Sequence, residues 1–228
     1  MTNDTKPGSR AVLFDIDGTL VDSNYLHIDA WDRAFVEIGH PVDLWRIHRS
    51  IGMDSGKLLE RLLGTDASSL GEDAKKLHSS RYLSSTDRLR PISDSTELLA
   101  ELARRGHSVV LATSAPEEEL KILLGVLEVD DSVQAVTSSE DVGTAKPDPD
   151  IIQSALEKAG VSADQAVMVG DSVWDVEAAK RAGVQSIGVL SGGFSREELL
   201  EAGAAAVYED IAALLRELDD SPIARQGS

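Results

Sequence analysis

Short apolar runs alternate with amphipathic, capped helical segments, and this alternation limits the fold more than any other feature of the chain. The runs are AVLFD (11–15), SVVLATS (108–114), VQAVTS (133–138), AVMVGD (166–171) and QSIGVL (185–190). Short, largely apolar stretches of this kind read as strands buried on both faces. Among the intervening segments, STELLAELARRG (95–106) carries apolar residues at helical spacing and ends in Arg-Arg-Gly, a C-terminal stop signal. DPDIIQSALEKAG (148–160) places Asp148 as the expected N-cap and Pro149 at the first helical position. SVWDVEAAKRAG (172–183) has the same style. Buried strands alternating with helices predict an α/β fold, a parallel sheet covered on both faces.

Residues 23–91 break the alternation. NYLHIDAWDRAFVEIG, SGKLLERLLG and GEDAKKLHSSRYLSS are all helix-like, with no strand among them. The expected division is a core of residues 1–22 and 92–228, with a helical cap of residues 23–91 inserted after the first strand. An insert leaving from that point sits above the strand end and is a natural lid. Residues 1–9 read as a disordered leader and 219–228 as a loose tail.

The first strand runs into LFDIDGTLVD (13–22), where three aspartates fall in ten positions. Carboxylates at a buried strand end are costly unless a cation or hydrogen bonds hold them. In an open parallel sheet, ligands bind at the carboxyl ends of the strands. Here the first strand ends in Asp15 with Asp17 two residues on, the second in Thr113-Ser114, and a later one in Gly170-Asp171, with Asp175 four residues further. Lys146 lies in the loop TAKPDPD. Brought together, these acids require a divalent cation. Their hard oxygen ligands suit Mg2+, which accepts substrate phosphate oxygens. A hydroxyl, a lysine and backbone N–H groups after the strands are phosphate-binding parts. Gly18 lets the chain turn away sharply after the aspartates. Two carboxylates on one side of an extended stretch permit a division of labour. One, ionised, attacks phosphorus, and the other, protonated, protonates the leaving oxygen and later activates water. Metal bound to Asp15 but not to the Asp17 side chain separates their pKa values in that sense.

Composition sets limits on partners. The chain has 228 residues, a net charge of −18 and no cysteine. That charge disfavours nucleic acid and membrane surfaces as partners. The absence of cysteine excludes disulfides, zinc–thiolate sites and a catalytic thiol. MTNDTKPGSR has no apolar stretch like a signal peptide, so a cytoplasmic location is the expectation. The chain is expected to act as a monomer on a small phosphorylated metabolite.

DIDGTLVD resembles the first motif of the haloacid dehalogenase superfamily. Thr113, Lys146 in KPDPD, and GDSVWD (170–175) are similar to its second, third and fourth motifs, in order across residues 11–190. The resemblance implies a Rossmann-like doubly wound core with a helical cap. It also implies Asp15 as nucleophile and Asp17 as general acid/base. Thr113 then holds the phosphoryl group and Lys146 neutralises it. Mg2+ sits on Asp15, the Asp17 carbonyl and Asp171, and Asp175 supports the metal shell or Lys146. Dehalogenases of the superfamily lack an acid at the position of Asp17, so phosphoryl transfer is the implied chemistry.

DSNYLHIDAW resembles the cap entrance of β-phosphoglucomutase and of related sugar-phosphate and phosphoglycolate phosphatases, with His27 in the matching place. The mutase carries Glu-Asp where this chain has Gly170-Asp171, which is the phosphatase form. In the cap, HRSIGMDSGKLLERL (48–62) offers Arg49 and Lys57 to read a substrate hydroxyl or second anion, and Gly18 and Ser114 complete the expected substrate site. The remaining histidines are assigned nothing, and Trp31, Trp45 and Trp174 are expected to pack. The expectation is a Mg2+-dependent phosphatase acting through an aspartyl-phosphate. A hexose-phosphate mutase is the alternative, and a non-catalytic phosphate binder is a further one.

Overall fold

The sheet is built on β1 (Ala11–Phe14), whose four residues are all fully buried. A computed structural model of the chain describes residues 10–128, 131–138, 141–143 and 146–225. After β1 come α1 (Asn24–Glu37), α2 (Leu44–His48), α3 (Ser55–Leu63) and α4 (Ala67–Leu83), then α5 (Ser95–Arg104). The alternating part continues through β2 (Ser108–Ala112), α6 (Glu117–Val126), β3 (Ala135–Thr137), α7 (Asp150–Ala159), β4 (Ala166–Gly170), α8 (Val173–Arg181) and β5 (Gln185–Val189). It closes with α9 (Arg196–Ala202), β6 (Ala206–Tyr208), α10 (Ile211–Arg216) and α11 (Pro222–Arg225).

All five strand pairings are parallel, in the order β3-β2-β1-β4-β5-β6. The chain winds outward in one direction from β1 through β2 and in the other through β4. The crevice above the carboxyl ends of β1, β2 and β4 is therefore the topological switch point, where such sheets bind ligands. Alternate residues of β1 feed two hydrophobic layers. Val12 and Phe14 join Leu98, Leu102 and Leu214 on one face. Ala11 and Leu13 join Ile151, Ile152 and Ala179 on the other. Burial on both faces explains why these strands read as continuous apolar runs.

The helices α1–α4 close around a cluster of their own, formed by Trp31, Phe35, Ile47, Leu58 and Leu62 with neighbours. Their apolar faces turn toward one another. Backbone and ion-pair contacts then tie them to the sheet layer. The Asp54 N–H donates to the Lys146 carbonyl at 2.9 Å, and His48 Nε2 lies 2.9 Å from the Gly192 carbonyl.

Several local expectations are corrected. α7 starts one residue later than the sequence suggests, with Pro149 at the N-cap and no capping side chain. Asp148 is instead drawn into ion pairs with Lys57 and Arg181. The tail is ordered as far as Arg225, because Ile223 packs into the sheet core and Ser221 is buried. Residues 1–9 and 226–228 lie outside the described residues. Trp45 does not pack; it is 67% exposed. The sixth strand, AVY, is too short to stand out as an apolar run.

Leu13→Ala tests the two-sided core. It removes a fully buried side chain from the central strand, and the expected loss is about 2–5 kcal/mol in a urea melt. A loss below about 1 kcal/mol would contradict the packing described.

Candidate active site

The loop after β1 folds back on itself. The N–H groups of Thr19, Leu20 and Val21 all point to the Ile16 carbonyl, and the Gly18 N–H donates to the Val21 carbonyl at 2.8 Å. Gly18 has φ +76°, and a Cβ there would stand 2.5 Å from an Asp171 carboxylate oxygen. Glycine is therefore needed both for the turn and for the approach. The turn carries Thr19 and Asn24 back to Asp171, to which each donates a hydrogen bond at 2.9 Å.

Asp15, Thr113 and Asp171 each follow the end of a strand and are buried. Lys146 is also buried, at 1% exposure, and its Nζ lies 2.5 Å from Asp15 and 2.7 Å from Asp175. Asp175 sits in the first turn of α8, where the Ser172 N–H and hydroxyl donate to its second oxygen at 3.1 and 2.6 Å. A Cβ on Gly170 would lie 2.4 Å from the Asp175 Cβ, so Asp175 occupies the space a side chain at 170 would need. The Thr113 hydroxyl accepts from the Ala115 N–H at 3.0 Å and fixes the turn after β2.

Asp15, Asp171 and Asp175 present carboxylate oxygens within 4.8 Å of one another. Burial is the largest influence raising Asp15 and Asp171, and neighbouring acids add to it. Asp15 stays well above its ordinary value despite Lys146, and Asp171 is pushed up to about 7. Lys146 is held charged by the two aspartates against the effect of burial. A buried set of hard oxygen donors that repel one another fits a divalent cation of the magnesium class. Lys146 meets only one oxygen of Asp15, whereas both oxygens of Asp171 accept from Thr19 and Asn24 and both oxygens of Asp175 face Lys146 and Ser172.

Asp17 faces the other way, toward the helices. Ser23 Oγ donates to its Oδ1 at 2.6 Å, and His27 Nε2 stands 3.3 Å from the same oxygen. Burial pushes Asp17 up, but the bonds and charge from His27, with Ser23, bring it below the ordinary carboxyl value. Burial lowers His27, and the Asp17 bond and charge more than reverse that. The pair is therefore ionic, with the proton on His27. Protein groups alone thus push the two aspartates opposite to the order expected from the sequence. A cation at Asp15 would correct the first half, and proton exchange between His27 and Asp17 would supply the second. Behind His27, His78 Nε2 lies 3.1 Å from His27 Nδ1. His78 is held neutral by burial and by the His27 charge.

A cavity of about 510 Å³ opens above these groups, lined from the sheet side by Asp15, Asp17, Thr113, Ser114 and Lys146. His27 lines it from the helical side. Gly18 shapes the turn beneath. Arg49 and Lys57, expected at the substrate, are not among its lining residues. Arg49 pairs with Glu198 and lies over the Phe194 ring, and Lys57 pairs with Asp148, because the sheet layer offers each an acid across the gap. Sequence reasoning missed Thr19, Ser23, Asn24, His78 and Glu119. The first three were signalled only as polar residues close to the aspartates of residues 15–22. The last two gave no local signal.

Residues 12–189 match the model of the haloacid dehalogenase-like hydrolases. The chain belongs to that family. It is 36% identical over 215 residues to a phosphoglycolate phosphatase of Rhodospirillum rubrum, covering 90% of this chain and 89% of that family member. It is 32% identical to a phosphorylated carbohydrates phosphatase of Thermotoga maritima, covering 91% and 99%. Among solved family structures, a hydrolase from Pseudomonas syringae superposes with a TM-score of 0.88 at 34% identity, covering 93% and 99%.

Asp171→Asn tests the acidic cluster by melting temperature. In EDTA near pH 8, the variant should melt about 2–4 °C above wild type, because a destabilising buried charge is gone. The gain should fade toward pH 4. A raised carboxyl is protonated in the fold there, and its cost appears only as pH rises. Magnesium chloride should raise the wild-type melting temperature more than that of the variant. Equal magnesium shifts in both proteins would contradict the cluster as a cation site.

Proposed function

We propose that the protein is a Mg2+-dependent phosphatase of small phosphorylated metabolites, sugar phosphates or phosphoglycolate, acting through an aspartyl-phosphate on Asp15. The observation that carries the reading is the pairing of the two aspartates with different partners. Asp15 is fixed by Lys146 in the acidic cluster, and Asp17 is bonded to His27 and Ser23. One environment suits a nucleophile and the other a proton carrier.

Bound to Asp15, Asp171 and the Asp17 carbonyl, magnesium would offset the negative charge of the site and of the phosphoryl oxygens. The protein's own groups do the rest. Asp15 attacks phosphorus. Lys146 and the Thr113 hydroxyl hold the transferring group. Asp17 delivers a proton to the leaving oxygen and takes one from the incoming water, exchanging it with His27. Oδ1 of Asp17 accepts both of its protein hydrogen bonds, so Oδ2 is left for the reacting oxygens. The helices of residues 23–91 act as the cap. Contacts such as Lys57 to Asp148 and Arg49 to Glu198 hold it over the site during transfer.

Hydrolysis is favoured over phosphate mutation by Gly170. A glutamate at this position, as in the mutase, would collide with Asp175 and displace it from Lys146. A pure phosphate binder has no use for the proton-carrying pair of Asp17 and His27.

The test is phosphate release from a metabolite panel with magnesium and with EDTA. Release should require magnesium. Asp15→Asn should abolish it. Asp17→Asn should lower turnover by about 10²–10⁴-fold while vanadate still binds. Intact turnover in Asp17→Asn would sink the mechanism. The pH profile follows from the pair. His27 is raised and Asp17 lowered, so together they hold one proton across the neutral range, and the rate should fall as pH rises through the His27 value. In His27→Gln the carboxyl alone must carry the proton, so the alkaline limb should move to lower pH. An alkaline limb that stays in place would contradict the role of His27.

A further inference from the structure

One buried acid in the cavity wall has no part in this chemistry. Glu119 lies in the first turn of α6, is 4% exposed and lines the cavity together with Asp15 and Asp17. It makes no hydrogen bond or salt bridge to any described residue. An acid in a first helical turn complements the helix dipole, but the exposed Glu117 and Glu118 already supply that. A buried carboxyl without a partner is costly, and such a cost is tolerated where a ligand meets the group. Burial pushes Glu119 up to about 7, so near neutral pH it both accepts and donates hydrogen bonds.

The wall around it has the same character. The Ser114 hydroxyl is buried and unpartnered, and His78 and Ser79 also face the cavity. Among the described residues, each buried cation of the wall already has an acid: His27 is paired with Asp17. Lys146 is committed to Asp15 and Asp175, and Lys75 is exposed at the rim. A carboxylate on the leaving group would therefore face Asp17 and Glu119 with, among the described cations of the wall, only the exposed Lys75 not already paired to offset them. At about 510 Å³ the cavity is in the range of sites that enclose whole organic ligands.

We infer that Glu119 is a specificity-determining residue that hydrogen-bonds a hydroxyl of the leaving group, so that phosphate esters of neutral polyols are preferred over those of hydroxy acids. The inference rests on the phosphatase reading and narrows its substrate class. A site built to bond a hydroxyl discriminates strongly, because its buried polar group is otherwise left unpaired.

The experiment measures kcat/KM with magnesium for the full chain on glucose 6-phosphate, glycerol 3-phosphate, phosphoglycolate and p-nitrophenyl phosphate. The last has no hydroxyl on its leaving group and reports the chemistry alone. Wild type should prefer the polyol phosphates to phosphoglycolate by about tenfold or more. Glu119→Ala should lower the ratio of polyol phosphate to p-nitrophenyl phosphate by about 10–100-fold. Glu119→Gln keeps hydrogen bonding without charge. It should retain more of that ratio than alanine and should raise phosphoglycolate relative to p-nitrophenyl phosphate. A uniform loss on all four substrates in both variants would make Glu119 merely structural and overturn the inference, as would a wild type that prefers phosphoglycolate. Both outcomes leave the phosphatase standing. A wild type that releases phosphate from none of the four, p-nitrophenyl phosphate included, would remove the phosphatase reading and this inference with it.

Discussion

Lys146 between Asp15 and Asp175 is the interaction on which the rest of the site depends. All three side chains are at least 95% buried. Removing one partner from such a set strands the others without compensation, a loss of about 3–5 kcal/mol. The triple is also a positional device. It joins the end of the first strand, the approach to α7 and the first turn of α8, which are far apart in sequence and become neighbours only because β1 and β4 pair. The sheet order thus sets the electrostatics.

A net negative charge remains once Lys146 is shared between two acids and Asp171 is added. This residue of charge suits the site to a cation and, through it, to phosphate. Close approach of backbone makes the cluster possible. Gly18, Gly170 and Gly192 each lie where a Cβ would strike an aspartate of the cluster. The second aspartate of the motif is separated from the first by its partners rather than by distance. Asp17 belongs to the histidine side and Asp15 to the lysine side, so two neighbouring carboxyls in one turn can carry different protonation states.

Much of this was legible in the sequence. The strands around β1 are buried on both faces and carry their signal as apolar runs. Asp15, Asp17, Thr113 and Asp171 stand at or just after strand ends, and Lys146 and Asp175 in the loop and helix turn that follow, where order along the chain maps onto position in the crevice. Residues whose role depends on packing between distant helices were less readable. His78 meets His27 across 51 positions. Glu119 reads as one more acid in a run of three, and only burial sets it apart. Arg49 and Lys57 show the converse. As cations in a cap loop they suggested anion recognition, but acids on the facing surface neutralise them. The start of α7 moved by one residue, and Asp148 meets Lys57 and Arg181 in place of capping the helix. β6 was missed because three residues carry too little pattern.

The central claim is that Asp15 becomes phosphorylated. Its most direct test is a single turnover quenched in acid, with the protein digested and its peptides weighed. The account predicts a transient phosphoryl group on the peptide containing Asp15, formed no later than free phosphate appears and absent in Asp15→Asn. Phosphate released with no protein-bound phosphoryl at any time, or a phosphoryl group on another residue, would contradict it.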